Sequence, residues 1–273
     1  MEALSKSTVL ANGIRMPWLG FGTYKIPDGK EVEDAVLSAL ESGYRSIDTA
    51  ELYENEKGVG RAVRSSGLDR KDIFIATKVW NTNQGYDETL KSFDRSLKNL
   101  GVDYIDLYLI HWPVKVRYQE TWRALERIYR DGLARSIGVS NFTVGHLEIL
   151  LKNCEVRPHV NQVEFHPFLF QKDLLDYCNR NDIRVEAWRP LLRGEVSEIP
   201  LLCEIGGRYR KTPAQIALRW LLQLGIVVIP KSVRRERMIE NSRIFDFELA
   251  DSEMNSIGSL NRNMRLGPDP DSF

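Results

Sequence analysis

The order of elements legible in this chain is that of a closed α/β barrel, the (β/α)8 or TIM-barrel class. Three observations lead there. Eight short apolar segments occur in series, each followed by at least one stretch of helical periodicity. The central segments are apolar at nearly every position, as expected of parallel strands covered on both faces. Their ends recur at a spacing of roughly 22–43 residues. An open doubly wound sheet is the alternative, but the eight-fold count and the even spacing favour closure. At 273 residues, 42% of them hydrophobic, the chain can bury one large core. No linker or low-complexity run divides it, so residues 1–273 are read as one domain.

The opening TVLANGIRM (8–16) reads as a β-hairpin with Asn12-Gly13 as its tight turn, a plug or edge ahead of the main fold. LGFG (19–22) is the first barrel strand. The helix from Glu31 to Ser42 carries Val32, Ala35, Val36, Ala39 and Leu40 on one face, and Gly43 stops it. SID (46–48) precedes a helix at Glu56–Arg64. IFIATK (73–78) precedes one at Asp87–Asn99, and IDLYLIH (105–111) one at Tyr118–Arg130. SIGVS (136–140) leads to a helix near Gly145–Lys152, and VNQVEF (160–165) to Lys172–Arg180. VEAW (185–188) is followed by an extra segment, Leu191–Lys211, a loop plus a short helix. The helix Pro213–Leu224 has Thr212 as N-cap, Gln215 three residues on and Gly225 just past its end. IVVIP (226–230) is the eighth strand and Arg235–Ile244 its helix. An amphipathic piece, Asp251–Leu260, and a polar tail add to the C-terminal end.

The whole-chain numbers exclude several classes. Lys plus Arg equals Asp plus Glu, 38 each, which gives no general attraction to nucleic acid or an acidic membrane. Cys154, Cys178 and Cys203 are odd in number and lack CxxC spacing, and no signal-like start precedes them; a reduced, cytoplasmic setting is expected. No apolar run approaches the ~20 residues that span a bilayer. The four histidines show no metal-ligand spacing, so no metal is expected. No apolar surface run asks for an oligomer, and a monomer is expected.

Barrel enzymes keep their chemistry at the C-terminal ends of the strands. Those ends here carry Gly22-Thr23-Tyr24, Asp48 with Tyr53 beyond it, Lys78, His111, Ser140-Asn141, Gln162 to Glu164, Trp188-Arg189 and Lys231-Ser232. Taken alone each has an ordinary reading. A strand-end Asp caps a turn, a Lys is solvated, a His between Ile and Trp is half-buried, and Trp188 is a core aromatic. Together they have a specific chemistry. A tyrosine is a poor acid at neutral pH, a neighbouring ammonium lowers its pKa, and a carboxylate holds that ammonium. A neutral histidine orients a carbonyl. The set donates a proton to an oxygen gaining negative charge, and a cofactor must bring the hydride.

A grip for such a cofactor stands at Lys231 to Asn241, KSVRRERMIEN. Lys231, Arg234, Arg235 and Arg237 fall within seven residues where a strand gives way to a helix. A helix start offers free N–H groups and the positive end of a dipole to phosphate. A solvated basic helix face is the plainer reading. GVGRAV (58–63) resembles a dinucleotide fingerprint but follows no strand and lies inside a helix, so it carries little weight.

The segments LGFGTYK, GYRSIDTAELYENEKGVG, ATKVW, DLYLIHWP, RSIGVSNF, VNQVEFHP, EAWRPL and IPKSVRRERMIEN, in this order, resemble the aldo-keto reductase family over nearly the whole chain. The small bacterial-type reductases, such as the 2,5-diketo-D-gluconate reductases, are the most similar members. The resemblance implies an NADPH-dependent oxidoreductase reducing aldehydes or ketones, with weaker use of NADH. Tyr53 is then the general acid, Lys78 paired with Asp48 its tuner, and His111 the orienter. Ser140, Asn141 and Gln162 hold the carboxamide, with Trp188 stacked on the nicotinamide. Lys231, Ser232 and Arg237, with Val233 beside them, hold the 2′-phosphate, and Glu240 and Asn241 the adenine. Gly22, Thr23, Tyr24, Asp48, Arg189 and Leu191 complete the cofactor set. Tyr24, Trp80, His111 and Trp112 line the substrate pocket.

Three features depart from the family pattern. Arg189 stands where Ser or Gly is usual and is read as a charge contact to cofactor or acidic substrate, or as pointing to solvent. The loop after His111 has only about six residues, which implies an open site. Glu51, where a small or apolar residue is commoner, is read as facing the site. Two other functions compete. One is a non-catalytic nucleotide-binding subunit, since the family fold also serves as a channel subunit and a lens protein. The other is a Schiff-base barrel enzyme using Lys78, with a substrate phosphate on the basic run.

Overall fold

A computed structural model describes residues 6–273. Strands β1 (Ser7–Val9) and β2 (Arg15–Pro17) form the antiparallel hairpin, pairing Thr8 with Met16. Its turn is one residue longer than the Asn12-Gly13 pair. The Gly13 N–H donates to the Leu10 carbonyl (2.8 Å) and the Leu10 N–H to the Ile14 carbonyl (2.9 Å). Gly13 takes φ 85°, the left-handed position of a three-residue loop. Leu10 and Met16 bury against Phe74, Leu107, Val160 and Val227, which begin four barrel strands. The hairpin thus plugs the N-terminal end of the barrel, and the Asn12 amide donates to the Arg135 carbonyl (2.9 Å) to hold it there.

The barrel strands are β3 (Phe21–Gly22), β4 (Ser46–Asp48), β5 (Phe74–Val79), β6 (Leu107–Ile110), β7 (Ile137–Ser140), β8 (Val160–Glu164), β9 (Arg184–Trp188) and β10 (Val227–Val228). They pair in chain order, and every pair is parallel. The ends meet. Leu19 bridges Val228, the Gly20 N–H donates to the Val228 carbonyl (2.9 Å), and the Gly22 N–H to that of Pro230 (3.2 Å). These bonds close the barrel and exclude the open sheet.

The helices outside are α1 (Lys30–Glu41), α2 (Glu56–Ser65), α3 (Tyr86–Leu100), α4 (Tyr118–Arg130), α5 (Val144–Leu151), α6 (Lys172–Arg180), α7 (Pro200–Tyr209), α8 (Pro213–Gln223), α9 (Arg235–Ser242) and α10 (Asp251–Gly258). The long β9–β10 connection holds α7 as the extra helix. Helix α8 has its reciprocal cap: Thr212 Oγ1 accepts from the Gln215 N–H, and Gln215 Oε1 from the Thr212 N–H. GVGRAV lies within α2, and its glycines serve packing. A Cβ on Gly58 would stand 2.3 Å from the Val32 side chain, and one on Gly60 2.1 Å from the Leu100 carbonyl oxygen. Among the described residues no helix is long and apolar enough to cross a membrane.

Candidate active site

The strand ends converge on one buried ion pair. Asp48 ends β4, and Lys78 stands on β5, which pairs with β4 in parallel register. The Lys78 ammonium donates to both Asp48 oxygens (2.8 and 2.7 Å) and to the Thr49 carbonyl (2.9 Å). Both side chains are buried. Burial alone would favour the neutral amine, but Asp48, then Tyr53, outweighs it and holds the Lys78 pKa above the ordinary lysine value. Lys78 is thereby a fixed positive charge, balanced on its far side by the Asp48 carboxylate.

Tyr53 reaches this charge from a 3-10 turn, Glu51–Tyr53, just beyond β4. Its ring lies over the Lys78 ammonium, 5.1 Å from nitrogen to centroid. His111, at the end of β6, meets the Tyr53 ring edge-on at 5.7 Å, and Trp80 meets His111 at 5.2 Å. Tyr24 covers the Tyr53 ring at 4.9 Å. Burial, and then the Lys78 charge, push the His111 pKa well below the ordinary histidine value, so the imidazole is neutral. For Tyr53 the sequence led to a lowered pKa, and the structure reverses that direction. Burial pushes the phenol up to about 12, against the pull of Lys78. The physical reason is that burial acts on the phenolate from every side, while Asp48 cancels part of the Lys78 field. A phenol so placed keeps its proton at neutral pH.

Next to this group lie amides and hydroxyls. Ser140 Oγ donates to the Gln162 carbonyl (2.8 Å), and Asn141 Nδ2 to the His111 carbonyl (2.9 Å) and to Ser140 Oγ (3.0 Å). Trp188, half-buried at the end of β9, donates from Nε1 to Asn141 Oδ1 (2.9 Å), which fixes the indole plane. Gln162 Nε2 donates to Asp48 Oδ1 and to Glu186 Oε2, both at 2.7 Å. Glu186 is the member that sequence reasoning missed. Burial, then repulsion from Asp48, push its carboxyl up to about 8. The available signal was a carboxylate inside the otherwise apolar VEAW.

The β10–α9 loop is exposed. Lys231, Arg234 and Arg237 have no ion-pair partner among the described residues, whereas Arg235 is spent on Glu41 of α1 (3.0 Å). The first turn of α9 lacks a side-chain cap. Free cations over uncapped helix N–H groups fit a phosphate group. Ser232 Oγ accepts from the Arg234 N–H (3.1 Å), and Val233 is exposed. Glu240 accepts from Thr212 Oγ1 (2.8 Å), Asn241 is buried, and a cavity of about 320 Å³ opens beside Glu240, Gln215 and Arg243. Gly22 passes close to β10, where a Cβ would stand 3.2 Å from the Ile229 carbonyl oxygen, and Thr23 Oγ1 donates to the Asp48 carbonyl (2.9 Å).

The three departures resolve differently. Arg189, at φ 54°, does not point to solvent. Its guanidinium lies 5.0 Å from the Trp188 ring centroid, with a buried Nη1 that has no hydrogen-bond partner and stands 3.9 Å from Glu164. Beside it Leu191 is partly buried against the core. The loop after His111 is short, but the site is less open than that implied. The C-terminal tail folds over it, with Phe273 stacked on Trp112 (4.5 Å) and the N–H groups of Leu266 and Gly267 donating to Glu164. Nothing in the tail's sequence announces this. Glu51 does not face the site; its carboxylate is bonded to Trp80, Asn83 and α3.

Residues 18–262 match the model of the Aldo/keto reductase family. The chain is 52% identical to a glyoxal reductase of Bacillus subtilis, covering all of this chain and 99% of that protein. It is 43% identical to the methylglyoxal reductase DkgA of Salmonella typhimurium, over 97% and 96% of the two chains. Among solved structures, an aldo-keto reductase from a Medee basin deep-sea metagenome library superposes with a TM-score of 0.94 at 46% identity, over 97% and 98% of the chains. A mutant of Gox0644 in complex with NADPH gives 0.94 at 40% identity, over 98% of both.

Proposed function

The chain belongs to the aldo/keto reductase family, and on that premise we propose that it reduces aldehyde or ketone carbonyls to alcohols with NADPH, Tyr53 giving the proton. The observation that carries this reading is the wholly buried Lys78, clamped by Asp48 beneath the Tyr53 ring. When bound, the reduced nicotinamide supplies the hydride to the carbonyl carbon. Tyr53 releases its proton to the carbonyl oxygen as that oxygen gains charge. The Lys78 ammonium stabilises the phenolate left behind, and water or a proton relay restores the phenol. His111, neutral, hydrogen-bonds the carbonyl and aims it. In the reverse direction the phenolate takes the alcohol proton.

Ser140, Asn141 and Gln162 hold the carboxamide, and Trp188 supports the ring. Lys231, Ser232 and Arg237 hold the 2′-phosphate, and the cavity beside Glu240 takes the adenine. Arg189, stacked on Trp188 with its buried Nη1 turned to Glu164, presents the rest of its guanidinium to an anion, either a cofactor phosphate or an acidic group on the substrate. Tyr24, Trp80, His111 and Trp112 bound the carbonyl pocket, with Phe273 over Trp112. The named activities of the relatives make 2-oxoaldehydes the first substrates to try. A Schiff-base role for Lys78 is disfavoured, because that nucleophile must be neutral and this amine is held charged.

The test is Tyr53→Phe, assayed by NADPH absorbance with methylglyoxal. Loss of turnover on the order of 10²–10⁴ is expected, with NADPH affinity unchanged. Turnover near the wild-type rate would end the assignment.

A further inference from the structure

The turn that carries Tyr53 is anchored on two sides. On one side Asn55 Oδ1 accepts from Thr49 Oγ1 (2.7 Å), and its amide donates to the carbonyls of Thr23 and Ile26 (3.1 and 2.8 Å). That fixes the turn to the exit of β3. On the other side the anchor is a single carboxylate. Glu51 Oε2 accepts from the Trp80 N–H (3.0 Å) and from Ser92 Oγ (2.9 Å), and Oε1 from Asn83 Nδ2 (2.7 Å) and an Arg95 guanidinium nitrogen (3.0 Å). Four donors on one carboxylate, its side chain only 18% exposed, are far more than an exposed ion pair needs. The donors come from three places: the loop after β5, its short 3-10 turn (Asn81–Asn83), and α3. Nothing in the proton-transfer chemistry uses Glu51 directly.

The consequence lies in what those donors carry. Trp80 is two residues past Lys78, and its ring meets His111, which in turn meets Tyr53. Glu51 is two residues before Tyr53. The Glu51–Trp80 bond therefore closes a ring of contacts: Tyr53 to His111, His111 to Trp80, and Trp80 through Glu51 back to the Tyr53 turn. We propose that Glu51 is a positioning residue for this reaction, tying the Tyr53 turn to the loop that carries Trp80 and so fixing the phenol against His111 and Lys78. The proposal rests on the reading of Tyr53 as proton donor. Misplacing a reacting group by ~1 Å can cost on the order of 10²-fold in rate, so a carboxylate outside the pocket can control the chemical step.

The experiment is Glu51→Ala in the full chain, with Tyr53→Phe beside it. NADPH affinity, by fluorescence, is expected within about twofold of wild type. The single-turnover rate of hydride transfer is expected to fall on the order of tenfold. A merely structural role would lower thermal stability and leave the pH profile alone. With the Trp80 loop released, water reaches the phenol, and the alkaline limb of the rate profile moves to lower pH. Glu51→Gln keeps the size and one acceptor oxygen, and is expected to lose about threefold; it is read instead if the alanine variant does not fold. Wild-type hydride transfer and an unmoved alkaline limb in the folded variant overturn the proposal. If Tyr53→Phe also turns over normally, the fault lies in the proton-donor assignment; if Tyr53→Phe is dead, it lies with Glu51 alone.

Discussion

Glu186 lies in the middle of β9, its carboxyl bonded to Gln162 and facing Asp48 across that amide. Burial and Asp48 raise its pKa from the ordinary 4.5 to about 8. An acid raised on folding keeps its proton in the folded chain where the unfolded chain has lost it. Between those two values the unfolded state binds fewer protons, so stability falls as pH rises. Its contribution is fully present below 4.5 and lost as pH climbs through about 8. Glu186→Gln keeps an acceptor for Gln162 and cannot ionise. Its urea midpoint is expected to match wild type near pH 5 and to exceed it at pH 8, and parallel pH curves for the two proteins would refute the assignment. At this scale the proposed proton-transfer group was legible, since Asp48, Lys78 and His111 stand at strand ends and Tyr53 in the turn just past β4. The direction of the Tyr53 pKa was not, because burial is the sum of contacts from Tyr24, His111 and others far along the chain. Glu186 was hidden for the same reason: a glutamate in a strand looks solvated until its neighbours are known.

The elements themselves were written in period and punctuation. Thr212, Pro213, Gln215 and Gly225 mark the ends of α8, and both cap bonds form where that pattern put them. What periodicity does not encode is how closely helices approach. Gly60 illustrates this, because a Cβ there would meet backbone, the Leu100 carbonyl oxygen at 2.1 Å. Helix α2 would have to move away from α3. Gly207, inside α7, has nothing within 4 Å of such a Cβ. The same substitution should therefore have opposite signs. Gly207→Ala is expected to stabilise by roughly 0.5–1 kcal/mol, through helix propensity and a less flexible unfolded chain. Gly60→Ala is expected to destabilise by roughly 1–3 kcal/mol, because overpacking exceeds that gain. Urea midpoints measure both, and a stabilised Gly60→Ala would mean that α2 shifts at little cost. The three-residue hairpin turn escaped in a similar way: Asn-Gly suits two turn lengths, and the pairing of Leu10 with Ile14 decides between them.

For the whole molecule, the alternation of strands and helices announced the barrel, while its closure and the fold of the tail rest on pairings between residues far apart in the chain. Leu19 meets Val228, and Phe273 meets Trp112. Closure also gives the proposed reaction its two halves, because it sets β10 and its cations next to β3 and, one strand on, the Asp48 end of β4. A ligand spanning that seam should hold the whole fold together. A ligand that binds only the folded chain stabilises it by about 2.7 kcal/mol at one hundred times its Kd. For a chain of this size that raises Tm by roughly 5–10 °C. NADPH at such a concentration is expected to give this shift, and NADH at the same concentration a smaller one. Lys231→Ala combined with Arg237→Ala removes two of the three free cations without touching Tyr53 or Lys78, so the NADPH shift should shrink to that of NADH while the NADH shift persists. Because the two cofactors differ only in the 2′-phosphate, the difference between the shifts isolates what those cations bind. Equal losses for both would assign them to a phosphate the cofactors share, and would move the selective contact to Arg234 or to the uncapped start of α9.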